Sequence, residues 1–135
     1  MNDWHVGDEM ILGVGCDVLD FSRMKPLEGN WNDPFFTRTF TKREQYDCLA
    51  ADSPLTAFSA RFSMKEAVFK ALRMNPDDAS FGEIEYSTDE LGRPSVRLLG
   101  TMDVQARRHG LYRLQVSVSY ETSCVLTFAV LETSD

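Results

Sequence analysis

Ser53-Pro54 is the strongest structural signal in the chain. The serine suits an N-cap, where its oxygen accepts an exposed amide, and the proline suits the first helical position, where no amide hydrogen is needed. No further proline occurs before Pro76, so the spacing predicts one helix running through Arg73, the longest in the protein. Along it Phe58, Phe62, Phe69 and Leu72 share a stripe about 80° wide, which a neighbouring layer must cover. Lys65 lies on the same stripe, and a lysine there must either snorkel or meet an anion. Glu66, Lys70 and Arg73 form the adjacent face, with Glu66 and Lys70 spaced as an ordinary i,i+4 ion pair.

The remaining segments are short enough to pack around such a helix. Ile11 to Val18 is apolar and β-prone and reads as a buried strand, in which Gly13 and Gly15 signal the close approach of another backbone or a twist. Asp20 is placed to cap a short helix through about Leu27, and Asn30 to Phe40 holds another turn or two. Thr41 and Glu44 form a capping box that starts a helix to about Ala51. Ile84–Thr88, a turn at 89–92, and Pro94–Leu99 make a hairpin. Thr101 is expected to cap a helix that ends at Gly110. Leu114–Tyr120 and Cys124–Leu131 pair across Glu121–Ser123. This order predicts an α+β fold, a mainly antiparallel sheet packed against helices with one long central helix. At 135 residues the chain forms a single domain, with residues 1–10 as a loosely ordered N-terminal extension.

Composition removes several classes of function. A net charge of −7 argues against general nucleic-acid binding, which relies on basic surface to displace counterions. No apolar run approaches the roughly 20 residues of a membrane helix. The first ten residues carry Asp3, Asp8 and Glu9 without a basic residue, unlike a secretory signal. Cys16, Cys48 and Cys124 lie far apart, which favours free thiols in a reducing cytoplasm. His5 and His109 lack metal-ligand spacing and are expected at the surface. The basic residues are nevertheless concentrated: Arg38, Lys42 and Arg43 in one island, and Arg61, Lys65, Lys70 and Arg73 in another.

Asp17 ends the first strand beside Val14 and Val18, where a carboxylate needs a cation, several donors or a helix to cap. With Glu66 as a second carboxylate it could complete an oxygen-ligand site for Mg²⁺, which fills its octahedron with water and substrate phosphates. The neighbouring lysines and arginines would then suit a phosphorylated substrate. No Walker-type loop or nucleophile elbow competes with this arrangement.

Three segments resemble the phosphopantetheinyl transferases, in their small holo-acyl-carrier-protein synthase branch. Gly13-Val14-Gly15-Cys16-Asp17-Val18 is similar to the family's opening G-[IV]-G-x-D-[IV]. Phe36 to Glu44 resembles F-x-x-R-x-[LF]-T-x-x-E, and Arg61 to Leu72 resembles R-[FW]-x-x-K-E-A-x-x-K-A. Weaker likeness runs through Phe81–Glu85, Gly92-Arg93-Pro94 and Val116–Ser119. The resemblance implies transfer of the 4′-phosphopantetheine arm of coenzyme A to a serine of an apo acyl carrier protein, leaving 3′,5′-ADP. It implies Asp17, Glu66 and Lys70 as catalytic residues, with Asp17 and Glu66 holding Mg²⁺. Arg61, Lys65, Lys70, Arg73, Pro94, Ser119 and Tyr120 would bind coenzyme A or shape its pocket. Arg23, Lys25 and Leu27 would dock the carrier, with Arg38, Lys42 and Arg43 as a second docking or nucleotide surface. A homotrimer with active sites between subunits is also implied. The serine proton would pass to Glu66 or to a metal-bound water.

Two departures stand out. Ser117-Val118-Ser119-Tyr120 places tyrosine where the family usually has histidine near the adenosine 3′-phosphate, and a phenol brings no positive charge near neutral pH. Arg73-Met74-Asn75-Pro76-Asp77-Asp78 replaces a glycine-rich loop, with Arg73 as a compensating cation. These departures keep open a second reading, a degenerate relative that binds a carrier protein or nucleotide without turnover; a third, a purely structural trimeric scaffold, has only the fold behind it.

Overall fold

The computed structural model of the chain describes residues 10–134. The expected N-terminal extension, Met10 apart, and His5 therefore lie outside the described residues. Strand β1 (Ile11–Asp20) is followed by helices α1 (Pro34–Thr39), α2 (Lys42–Leu49) and α3 (Pro54–Leu72). Then come the hairpin β2 (Ile84–Thr88) and β3 (Pro94–Leu98), the helix α4 (Gly100–Ala106), and the strands β4 (Tyr112–Tyr120) and β5 (Cys124–Thr133). One antiparallel sheet has the order β1-β5-β4, and β2 pairs with β3 in a second. The fold is the α+β arrangement expected, and no helix among the described residues is long and apolar enough to cross a membrane.

Helix α3 is capped as its sequence requires, Ser53 accepting from the Thr56 N–H. It is buried on more than the Phe58–Leu72 stripe, since Ala60, Met64, Ala67, Val68 and Ala71 are also enclosed. The reason is that α3 packs against β1 and β5 as well as α2 and β2, so apolar residues are needed around most of its circumference. At one end Phe36, Phe40 and Phe58 cluster, with the Phe36 and Phe58 ring centroids 4.8 Å apart.

Helix and strand approach each other through backbone. A Cβ at Gly13 would overlap the carbonyl oxygen of Ala71, and one at Gly15 would overlap that of Ala67. Two residues of strand advance roughly 6.6–6.8 Å and four residues of helix about 6 Å, so the spacings nearly match. The next pair in this antiparallel series is Asp17 and Ser63. The strand is not buried on both faces as its composition suggested: Val14 and Val18 are 60% and 61% exposed. As an edge strand covered on one side only, β1 turns its glycines and Asp17 to α3 and its valines away.

Glu44 connects α2 to the core. Thr41 and Glu44 form the expected capping box, with the Thr41 N–H donating to Glu44 Oε1 at 2.9 Å. The same Oε1 accepts from Lys65 Nζ at 2.7 Å, and Oε2 accepts from the Tyr86 N–H at 3.0 Å. Lys65 uses its remaining donors on the carbonyls of Phe81 and Ile84. Both side chains are completely excluded from solvent. Burial pulls the Lys65 pKa below that of a free lysine, against the opposing pull of Glu44.

Two sequence expectations shift locally. Thr101 is not the cap of α4; Leu99 occupies that position without a side-chain bond. Thr101 instead donates both its hydroxyl and its N–H to Glu83 Oε1, because the turn at Phe81–Glu83 brings that carboxylate to the start of α4. The helix also tightens to a 3-10 turn over Arg107–His109 before Gly110.

Lys65→Met should therefore lower stability by about 3–5 kcal/mol, the usual cost of leaving a buried carboxylate without its cation. A urea denaturation curve measures this. Combining it with Glu44→Gln should recover part of the loss, because the orphaned charge is then gone.

Candidate active site

Asp17 is positioned by the β1–α3 contact and fixed by hydroxyls. Its Oδ2 accepts from Ser63 Oγ at 2.8 Å, and Ser63 Oγ shares a second hydrogen bond of 2.8 Å with Thr127 Oγ1 on β5. Its Oδ1 lies 3.5 Å from Lys70 Nζ. Lys70 also donates to the carbonyl of Cys16 at 2.9 Å. The ammonium thus turns toward β1, and the ordinary Glu66–Lys70 ion pair is absent among the described residues. Half of the Lys70 side chain remains exposed, leaving its charge available to a ligand.

Glu66 lies on α3 three residues beyond Ser63. Burial is the main cause that raises its pKa above the usual glutamate value, and the like charge of Asp17 adds to it. Lys70 and Arg23 act in the opposite direction. Two carboxylates held near each other against their mutual repulsion suit a hard cation with oxygen ligands. Among the described residues no cluster of three or more histidine, cysteine or acidic side chains forms a metal cage. A Mg²⁺-type ion, which keeps positions for water and phosphate, would take Asp17 and Glu66 as its protein ligands here.

Arg73 terminates α3 in a left-handed conformation, with φ of 54°. Its side chain lies against Gly13, and with Lys70 it lines an open cleft of about 380 Å³ along Ile11–Val14. Two cations thus stand together beyond the carboxylates. Arg61 forms a separate group. It is only 8% exposed, its Nη1 donates to the Ala57 carbonyl at 3.3 Å, and its buried Nε has no partner. Its guanidinium sits 4.7 Å from the centroid of the Tyr86 ring.

Lys65 requires a correction. The resemblance placed it among the residues that bind coenzyme A or shape its pocket, but its ammonium is closed inside the core with every donor used. One residue along a helix turns the side chain by about 100°, which separates Lys65 from Glu66. Pro94 begins β3 opposite Thr88, and Ser119 and Tyr120 occupy the exposed end of β4. Among the described residues no hydrogen bond or ion pair joins Pro94 or Ser119 to Asp17 or Glu66. Arg23 is exposed and close enough to influence Glu66, whereas Lys25 pairs loosely with Glu28 at 3.9 Å and Leu27 is half-buried. Arg38, Lys42 and Arg43 are exposed at the junction of α1 and α2.

Ser63 and Thr127, which hold Asp17, did not emerge as site residues from sequence. Thr127 carries the plainest signal, a hydroxyl on the inward-facing side of the apolar strand Cys124–Leu131. Ser63 precedes Glu66 by three residues, which places both on neighbouring parts of one helix face.

Residues 13–125 match the 4′-phosphopantetheinyl transferase superfamily. The chain is 36% identical over 124 residues to the holo-acyl-carrier-protein synthase of Clostridium acetobutylicum, covering 91% of this chain and 98% of that protein. The crystal structure of the holo-acyl-carrier-protein synthase from Neisseria meningitidis has a TM-score of 0.79 and 29% identity, covering 90% of this chain and 98% of that one. The Plasmodium yoelii acyl carrier protein synthase, solved with ADP bound, has a TM-score of 0.75 and 27% identity, covering 96% and 100%. Sequence motif, fold and acidic site thus lead to one assignment: the chain belongs to the 4′-phosphopantetheinyl transferase superfamily, as an enzyme of its holo-acyl-carrier-protein synthase branch.

Proposed function

We propose that this enzyme transfers the 4′-phosphopantetheine arm of coenzyme A to a serine of an apo acyl carrier protein, with Mg²⁺ required and 3′,5′-ADP released. The observation that carries this reading is the convergence of Asp17, Glu66 and Lys70 at the β1–α3 contact. In the reaction the serine Oγ bonds to the phosphorus of the phosphopantetheine arm, while the P–O bond to the departing 3′,5′-ADP breaks. The serine proton leaves to Glu66 or to a water beside it. Bound Mg²⁺ would supply positive charge to the pyrophosphate oxygens. Ser63 holds Asp17 in place for that ion, and Thr127 holds Ser63. Lys70 neutralises pyrophosphate charge, and Arg73 extends the positive surface along the cleft. Arg61, Pro94, Ser119 and Tyr120 contact coenzyme A; the nucleotide bound by the Plasmodium relative supports a nucleotide-containing substrate. The exposed Arg23 and Lys25, with Leu27, dock an acidic carrier beside Glu66.

The active assembly is a homotrimer. Its support is the uncovered face of the three-stranded sheet, where the register sets Val14 beside Val130, Cys16 beside Phe128 and Val18 beside Leu126. Phe128 and Leu126 remain 49% and 40% exposed, and a continuous apolar face of this kind calls for a partner surface. The three cysteines are free thiols, which suits a reducing cytoplasm.

Glu66→Gln should abolish transfer, read as the loss of the phosphopantetheine mass gain on the carrier. The variant should also melt at least as high as the parent without metal at pH 7, because a repelled, half-buried carboxylate has become neutral. Retained transfer would remove Glu66 from the metal site. The pH dependence follows from the same group. Glu66 binds its proton more readily than an ordinary glutamate, so Mg²⁺ affinity and kcat/KM should fall with acidification at a pH above the ordinary glutamate value of 4.5. Calorimetric Mg²⁺ titrations across pH check this. Phe128→Asp should convert the assembly to monomers in sedimentation experiments and reduce transfer at least tenfold. A trimeric, fully active variant would count against the proposed interface.

A further inference from the structure

Side chains from three elements meet where β1 and β5 pass under α3. Asp17 and Thr127 are register partners across the β1–β5 pair, which sets both on one face of the sheet. On that face both reach Ser63 of α3: Asp17 Oδ2 and Thr127 Oγ1 each lie 2.8 Å from its Oγ. Ser63 and Thr127 are wholly excluded from solvent.

Proton counting gives this chain a direction. An ionised carboxylate only accepts, and a serine hydroxyl carries a single hydrogen. The Ser63 hydrogen goes to Asp17 Oδ2, the backbone carbonyl of Asp17 being further off at 3.4 Å. The Ser63 oxygen is then an acceptor toward β5, and Thr127 is the donor. Donation thus runs from Thr127 through Ser63 to Asp17, and serial bonds of this kind polarise one another. The last of them is charge-assisted, which makes it the strongest of the set.

The two oxygens of Asp17 therefore face different surroundings. Oδ2 is turned into the closed contact between sheet and helix. Oδ1 is turned toward Lys70 Nζ, 3.5 Å away on a half-exposed side chain. A cation entering from solvent meets Oδ1, and it reaches Oδ2 only by breaking the bond to Ser63. Ca²⁺ takes roughly six to eight oxygens and often both from one carboxylate, whereas Mg²⁺ demands a small, regular octahedron.

We infer that Ser63 and Thr127 are positioning residues that set the cation preference of this site: by holding Oδ2 they leave Asp17 a one-oxygen ligand, which favours Mg²⁺ over Ca²⁺. This rests on the proposed Mg²⁺-dependent transferase function and deepens it, assigning selectivity to two hydroxyls that act only through Asp17.

Calorimetric titration of the whole protein with Mg²⁺ alone, and separately with Ca²⁺ alone, tests this. Ser63→Ala should weaken Mg²⁺ binding about tenfold and leave Ca²⁺ binding equal or tighter, so that the preference for Mg²⁺ falls by about that factor. Thr127→Val, the same shape without the hydroxyl, should shift the preference in the same direction by a smaller factor. Thr127→Ser keeps the hydroxyl and should keep the parent preference. Ser63→Ala strands the Thr127 hydroxyl in the core, and thermal melting shows whether the variant folds. Combining Ser63→Ala with Thr127→Val removes both hydroxyls and leaves none stranded. The pair should show the same preference as Ser63→Ala, because Thr127 acts through Ser63. An unchanged preference in Ser63→Ala or in the pair, an equal loss for both cations, or a Thr127→Ser that behaves like Thr127→Val would each overturn the inference. So would a parent that binds Ca²⁺ as tightly as Mg²⁺, or one that takes up neither cation and still modifies the carrier. A parent that takes up neither and modifies no carrier would overturn the transferase reading, and this inference with it.

Discussion

The contact between the backbone of β1 and the backbone of α3 is the constraint on which the rest of the structure depends. Glycines at 13 and 15 let helix carbonyls lie directly over the strand. Strand and helix then remain in step long enough for Asp17 to meet Ser63. A bulkier strand would hold α3 further away and separate the groups that now converge. Lys70 could not reach both Asp17 and the Cys16 carbonyl from such a distance. The chemistry thus rests on small residues that take no part in it.

Successive positions on α3 meet very different electrical surroundings. Lys65 is enclosed with a carboxylate and two carbonyls, an arrangement that is internally complete. Glu66 has partial solvent access and a neighbouring carboxylate, an arrangement that gains from an incoming cation. Arg61 has a buried guanidinium and too few acceptors. Of these three charges on the helix, Lys65 belongs to the fold, whereas Glu66 and Arg61 are left to favour ligands. Distinguishing them depends on which layer each side chain faces.

Much of the element order was legible in sequence because its signals were local. Ser53-Pro54, the Thr41–Glu44 capping box and the alternation in β4 each act within a few residues. The glycine pair also reported its close approach. What sequence could not reveal was the tertiary environment: Lys65 looked available until Glu44, Phe81 and Ile84 closed around it. Thr101 was diverted from its capping position by Glu83, a partner eighteen positions away. Likewise, the Ser63–Thr127 hydroxyl pair joins residues sixty-four positions apart, beyond any local periodicity. For the site, the acidic pair and Lys70 were visible through motif resemblance, whereas the groups that aim Asp17 required the packed structure.

Glu44 has a consequence for how such a chain can vary over generations. One carboxylate closes the start of α2, balances Lys65 and holds the β2 backbone at Tyr86. No single replacement can perform all three tasks. A neutral side chain strands the lysine, and a shorter acid loses reach. Change at this position must be concerted with change at Lys65, passing through an intermediate with a bare internal charge. Glu44 is therefore constrained by partners on three elements at once, while its side chain is wholly enclosed.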